Sequence, residues 1–140
     1  MEKNVLSSLL RINRHYRRFI KAALLPHRYI GVMHLIVLYA ARRPGASQEE
    51  IACFYALDKT SVARDARRLE ELGHLTRRTA PENRRQYQLF LTYAGERMIG
   101  IIDGVTAQYG QTLSANISPE DWRLLAGLLV RLEENACSAP

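Results

Sequence analysis

Apolar residues recur at three- and four-residue spacing through the first stretch of the chain, at Val5, Leu9, Ile12, Tyr16, Phe19, Ile20 and Ala23. That period predicts an amphipathic helix over 5–24. Arg11, Arg14, Arg18 and Lys21 fall on its opposite face, while Leu6 and Leu10 widen the stripe enough for a second packing partner. Pro26 ends it. From Tyr29 to Ala41 the run YIGVMHLIVLYAA is apolar all round, the pattern of a central helix enclosed by other elements. RRPGAS then supplies a Pro-Gly turn. Ser47 and Glu50 have the S-x-x-E spacing of a capping box, predicting a short helix to about Tyr55. Asp58 is placed to cap a further helix, with Val62, Ala66, Leu69 and Leu72 inward and Gly73 as a left-handed stop. Only ALD separates these two helices, as in a helix-turn-helix.

Beyond Leu75 the period shortens. LTRRT and QYQLFLT predict two strands, the second alternating Tyr87, Leu89 and Leu91 against Gln86, Gln88 and Phe90, with APENRR as the connecting loop. Met98, Ile101, Ile102, Val105 and Tyr109 return to helical spacing from Tyr93 to about Leu113, where Gly100, Gly104 and Gly110 lower the local propensity and favour a bend. Ser118 before Pro119 starts a last helix, with Trp122, Leu125, Leu129 and Leu132 as its stripe. There is no internal repeat and no low-complexity segment.

Composition removes several classes of function. At 140 residues and 47% hydrophobic content the chain suits one domain with a core of its own. Its 2 cysteines form no C-x-x-C pair, so neither a disulfide framework nor a zinc ribbon is expected. Cys53 reads as a small buried hydrophobe and Cys137 as part of a frayed tail. The apolar run is too short to cross a bilayer and the first residues lack a secretory pattern, which predicts a cytoplasmic protein without a membrane partner. His15, His27, His34 and His74 have no paired ligand spacing, so no metal is expected. Without a Gly-rich phosphate loop, a nucleophile–histidine constellation or paired carboxylates, neither enzyme activity nor a cofactor is expected.

The formal charge of +6 favours an anionic partner. Residues 56–78, ALDKTSVARDARRLEELGHLTRR, place Thr60, Ser61, Arg64, Arg67 and Arg68 on one helical face. A DNA major groove admits one helix, whose first residues read base edges while basic side chains hold phosphates. On that reading Arg64, opposite the buried stripe, contacts guanine. Thr60 and Ser61 touch bases or phosphate, and Lys59 and Arg67 touch phosphate. Arg84 and Arg85 at the hairpin tip reach the minor groove or phosphate, Arg85 foremost. The same helix face also fits a solvated surface balanced by Glu70 and Glu71, and Arg77 and Arg78 fit the decoration of an exposed strand.

The order of these elements is similar to that of the MarR family of winged helix-turn-helix regulators, over nearly the whole chain. SQEEIACFYALDKTSVARDARRLEELGHLTRR resembles the family's helix-turn-helix in length and placement, and APENRRQYQLFLTYAGE resembles its wing and next helix. The resemblance implies a mainly α fold with a small β-hairpin wing in one domain, residues 1–140. The winged lobe would occupy about 29–92, flanked by dimerisation helices at about 1–25 and 93–135. It implies a sequence-specific double-stranded DNA-binding regulator, a ligand-responsive repressor acting as a homodimer. Two recognition helices roughly 34 Å apart would then read a pseudo-palindromic operator. The DNA contacts it implies are Ser47, Lys59, Thr60, Ser61, Arg64, Arg67, Arg68, Arg78, Arg84 and Arg85. A small anionic or aromatic effector would bind between the dimerisation helices and the lobe, with Asn13, His15, Arg17, His34 and Tyr39 as cleft candidates. His34 and Tyr39 equally fit core residues satisfied internally. An interaction module whose basic face meets an acidic protein is the alternative class. Two positions depart from the family. Ala80 and Asn83 stand where aspartates are frequent, leaving no carboxylate to hold Arg84 or Arg85 and implying a looser wing. Ala56 stands where glycine is common, at little cost provided it avoids positive φ.

Overall fold

Asn4 opens the first helix: its side chain accepts the N–H groups of Leu6 and Ser7 at 3.0 and 3.4 Å, satisfying amides that no helical turn precedes. The computed structural model describes residues 4–140. Helix α1 spans Val5–Leu24, as the spacing predicted, but only Ile20 and Leu24 of it are buried. The next helix differs from expectation. A 3-10 turn at Leu25–His27 is followed by Arg28 and Gly31 at φ 65 and 57, left-handed conformations that exclude a helix, so α2 begins only at Met33 and ends at Arg42. Tyr29 is buried in this loop rather than in the helix.

Ser47 caps α3 (Gln48–Tyr55), its Oγ accepting the Glu50 N–H at 3.0 Å. The reciprocal half of the capping box does not form, because the Glu50 carboxylate accepts the Tyr39 hydroxyl at 2.7 Å and pairs with Arg43 at 3.4 Å. Helix α4 spans Lys59–Glu71. Asp58 occupies its N-cap position, yet its carboxylate accepts the Ser61 hydroxyl at 3.3 Å instead of a backbone amide. At the other end Gly73 adopts φ 78, with Gly73 N–H bonded to the Glu70 carbonyl and His74 N–H to the Leu69 carbonyl. This is the Schellman closure that a left-handed glycine permits.

Strands β1 (Ala46–Ser47), β2 (Leu75–Ala80) and β3 (Asn83–Leu91) form an antiparallel sheet in the order β1-β3-β2. β1 is too short to carry a period and was not foreseen. The loop expected over 80–85 contracts to a turn at Pro81 and Glu82. The register then slips between Thr79, opposite Tyr87, and Ala80, opposite Asn83, so Arg84, Arg85 and Gln86 have no partner in the ladder.

Helix α5 covers Tyr93–Leu113; its Gly95 packs against the His74 carbonyl with no space for a Cβ. Helix α6 covers Pro119–Ser138, capped by Ser118, which accepts the Asp121 N–H at 3.1 Å. Cys137 therefore lies within a helix and not in a frayed tail. The chain divides into two compact units within α5, one ending at Thr106 and the other spanning Ala107–Pro140. The core of the first unit gathers Leu24, Tyr29, Met33, Ile36, Val37, Ile51, Val62, Leu69, Leu89 and Ile102, the Leu, Ile, Val and Met side chains among them each contributing about 1.5 to 3 kcal/mol of transfer free energy. In the second unit no residue of α6 is buried. Among the described residues no helix is long and apolar enough to cross a membrane, and no group of His, Cys, Asp and Glu could hold a metal ion.

Candidate nucleic-acid interface

Val62, Asp65, Ala66 and Leu69 form the buried side of α4, which packs on α2 and α3. Burying that stripe leaves Lys59, Thr60, Arg64 and Arg67 exposed. The expected single face is nevertheless split. Lys59, Thr60 and Ala63 turn toward the sheet, whereas Ser61, half-buried and bonded to Asp58, lines a cavity on the other side. Arg64 and Arg68 both lean on Asp65, at 3.3 and 2.9 Å from its Oδ1, and Arg68 is only partly exposed. Arg67 has no partner among the described residues.

Beside the first turn of α4 runs a groove of about 620 Å³, lined by Gln48, Glu49, Lys59, Thr60, Ala63, Asn83, Arg85, Gln86 and Tyr87. It joins the starts of α3 and α4 to the irregular part of the hairpin. Glu49 and Lys59 meet across it at 3.5 Å, both well exposed. A pair so solvated is worth little and is easily exchanged for a polyanion. Ser47 sits at the head of α3, its hydroxyl oxygen engaged by the helix.

At the hairpin tip the Asn83 side chain accepts the backbone N–H of Arg85 at 3.1 Å. Asn83 thus orders the backbone, where an aspartate would hold an arginine head. The Arg84 and Arg85 guanidinium groups are exposed and have no ion-pair partner among the described residues. Arg78 is exposed, its guanidinium 4.7 Å from the centre of the Phe90 ring. Arg77 corrects the expectation of an exposed strand residue. It points to the core side of β2, with its side chain 16% exposed, 3.1 Å from Glu70, 3.5 Å from Gln48 and stacked 4.7 Å over Tyr87.

A second cavity, of about 930 Å³, lies between α1, the loop before α2, α2 itself and the α3–α4 turn. It brings together Asn13, Arg17 and His34 of the proposed effector residues, with Arg14, Arg18 and Lys21 also on its wall. His15 and Tyr39 do not line it. His15 is exposed on α1, and the Tyr39 hydroxyl is committed to Glu50, a hydrogen bond that raises its pKa with burial adding to the effect. His34 is buried, its Nε2 has no hydrogen-bond partner among the described residues, and desolvation lowers its pKa from 6.5 to about 4. Tyr29 reaches from the same loop to His74 at the foot of β2, its hydroxyl 2.7 Å from Nδ1. Burial raises the tyrosine pKa and lowers that of the histidine.

One further expectation is overturned, and the condition set for Ala56 is not met. Cys53 is exposed, because α3 turns Ile51 and Ala52 inward and its next residues outward. Ala56 does not avoid positive φ: it ends α3 at φ 53, ψ 47. The residue that sequence reasoning missed is Asp65. Its signal was present, since position 65 lies on the face set by Val62, Ala66 and Leu69, where a carboxylate has to be buried with partners.

A capped helix, a tight turn, an exposed basic second helix and a hairpin folded beside it define a winged helix-turn-helix protein. The sequence profile of the MarR family matches residues 34–87. The crystal structure of MarR is similar at 34% identity over 97% of this chain and 100% of that one, with a TM-score of 0.82. A Thauera aromatica protein, named as an inferred transcriptional regulator for the hcr operon, is 33% identical over 100 residues. That match takes in 71% of this chain and spans only 60% of the relative's length. A Listeria monocytogenes protein of MarR type, solved in complex with a 26mer DNA, shares the fold at 17% identity and a TM-score of 0.89, over 96% of this chain and 89% of that one. The chain belongs to the MarR family.

Proposed function

We propose that the chain is a sequence-specific double-stranded DNA-binding transcriptional regulator. It acts in the cytoplasm as a homodimer, represses from a pseudo-palindromic operator and responds to a small anionic or aromatic molecule. One observation carries this reading: α4 exposes Lys59, Thr60, Arg64 and Arg67 beside a hairpin tip whose Arg84 and Arg85 have no ion-pair partner among the described residues. A helix so furnished suits a major groove, and the tip suits the adjacent backbone or minor groove.

The homodimer is supported by exposed apolar surface on α1 and on α6, each taken by itself. Leu6 and Leu10 of α1 are 69% and 71% exposed, and α6 leaves Leu124 and Val130 at 62% and 51%. Patches of this kind mark a protein interface. The effector is supported by the larger cavity, where His34 and a row of arginines meet a partly apolar wall.

The test is equilibrium binding to a duplex selected from a random-sequence pool and to its scrambled counterpart. The selected duplex is expected to bind tightly and to lose affinity steeply with salt. Arg64→Ala is expected to cost about 1 to 3 kcal/mol and to relax the sequence preference. Equal affinity for selected and scrambled duplexes would overturn the sequence-specific reading.

A further inference from the structure

Asp65 is fully buried in the helix that carries the exposed arginines. A carboxylate is kept inside only where partners replace its water. Its Oδ2 accepts the Val32 N–H at 2.8 Å, and its Oδ1 receives Arg68 Nη1 at 2.9 Å and Arg64 Nε at 3.3 Å. Gly31 lies so close to the same carboxylate that a Cβ has no space there. One side chain therefore joins the loop before α2, which forms part of the wall of the larger cavity, to two arginines of α4.

We propose that Asp65 is a positioning residue for base recognition, anchored on the Gly31–Val32 turn and orienting Arg64 and Arg68. The inference rests on the DNA-binding reading above. An unrestrained arginine surrenders much rotamer freedom when it binds. Arg64 gripped through Nε has already surrendered part of it, and both of its Nη nitrogens remain available for the two acceptors of a guanine edge. Arg67, which has no such anchor, suits a phosphate, where direction matters less.

The decisive quantity is the ratio of affinities for the selected and scrambled duplexes, measured with thermal unfolding on wild type and Asp65→Asn. The substitution is expected to lower that ratio about tenfold, while scrambled-duplex affinity holds or rises because a negative charge is removed. In an Arg64→Ala/Arg68→Ala background the same substitution should leave the ratio unchanged, as coupled residues require. A ratio unaffected by Asp65→Asn, or lowered equally in both backgrounds, overturns the proposal; a merely structural role lowers both affinities together with the folded fraction. Should Asp65→Asn not fold, the wild type decides the matter: Arg64 Nε–H should exchange with solvent more slowly than Arg67 Nε–H by NMR, and equal exchange overturns the anchoring. A wild type without preference for any selected duplex overturns the DNA-binding reading, and this inference with it.

Discussion

Ala56 shows how a single residue can carry a measurable cost. It holds the left-handed conformation that closes α3 and turns the chain toward α4. A Cβ is disfavoured there by about 1 to 2 kcal/mol, a penalty glycine escapes while losing more entropy on folding. Ala56→Gly is therefore expected to stabilise the protein by about 1 kcal/mol, read as a higher urea midpoint at unchanged slope. A lower midpoint would show that the turn is not strained. His34 makes the opposite kind of statement. Because its pKa in the fold is about 4 against 6.5 outside, the unfolded chain takes up a proton as pH falls below 6.5 while the folded chain refuses it until about 4. Stability is thus full above pH 6.5 and lost toward pH 4, by an amount on the order of 3 kcal/mol from this residue. His74, lowered in the same direction, adds to it. Urea unfolding of wild type and His34→Leu across that window should show the variant losing much less stability on acidification; parallel losses would refute the assignment.

At the scale of elements, the arginines of the hairpin divide by where the strand sends them. Arg85 stands in the unpaired stretch at the tip, whereas Arg77 is wedged between Glu70, Gln48 and Tyr87. Arg85→Ala should weaken binding to all duplexes alike and flatten the plot of log affinity against log salt by about 1, without changing stability. Arg77→Ala should do the reverse, costing about 1 to 3 kcal/mol of folding stability and leaving the salt slope intact. If the salt slope responded to Arg77 and not to Arg85, the two roles would have to be exchanged. Sequence reasoning located both strands and the ends of α4, because alternation, the capping positions and Gly73 are local signals. It could not tell Arg77 from Arg78, since which side of a strand faces the core depends on what packs there. The late start of α2 escaped it for a related reason: hydrophobic content marked Tyr29 as buried, but burial in a loop and burial in a helix look alike in composition.

At the scale of the whole molecule, apolar side chains stand exposed along α6. Helix α6 has no buried residue, though Leu124 and Leu128 stand one turn apart on it. A helix is rarely stable by propensity alone and takes most of its stability from packing. If the protein is the proposed homodimer, Leu128→Glu is expected to convert it into monomers in sedimentation equilibrium. It should then also weaken binding to the selected duplex by about a hundredfold or more, as the second recognition helix of that proposed dimer loses its tether. A wild type already monomeric at micromolar concentration would remove the basis of that expectation.

The amino-acid order by itself determined the identity and span of most elements, the helix-turn-helix with its hairpin, and the basic character of the exposed side of α4. These are consequences of period, caps and turn residues that act within a few positions of each other. Only the tertiary structure decided that Asp65 is held by Val32, Arg64 and Arg68, that Arg77 is internal, and that Asn13, Arg17 and His34 share a cavity while Tyr39 does not. The physical reason is that a polar side chain takes its role from the groups that replace its water, and those groups arrive from distant parts of the chain only after the core has closed.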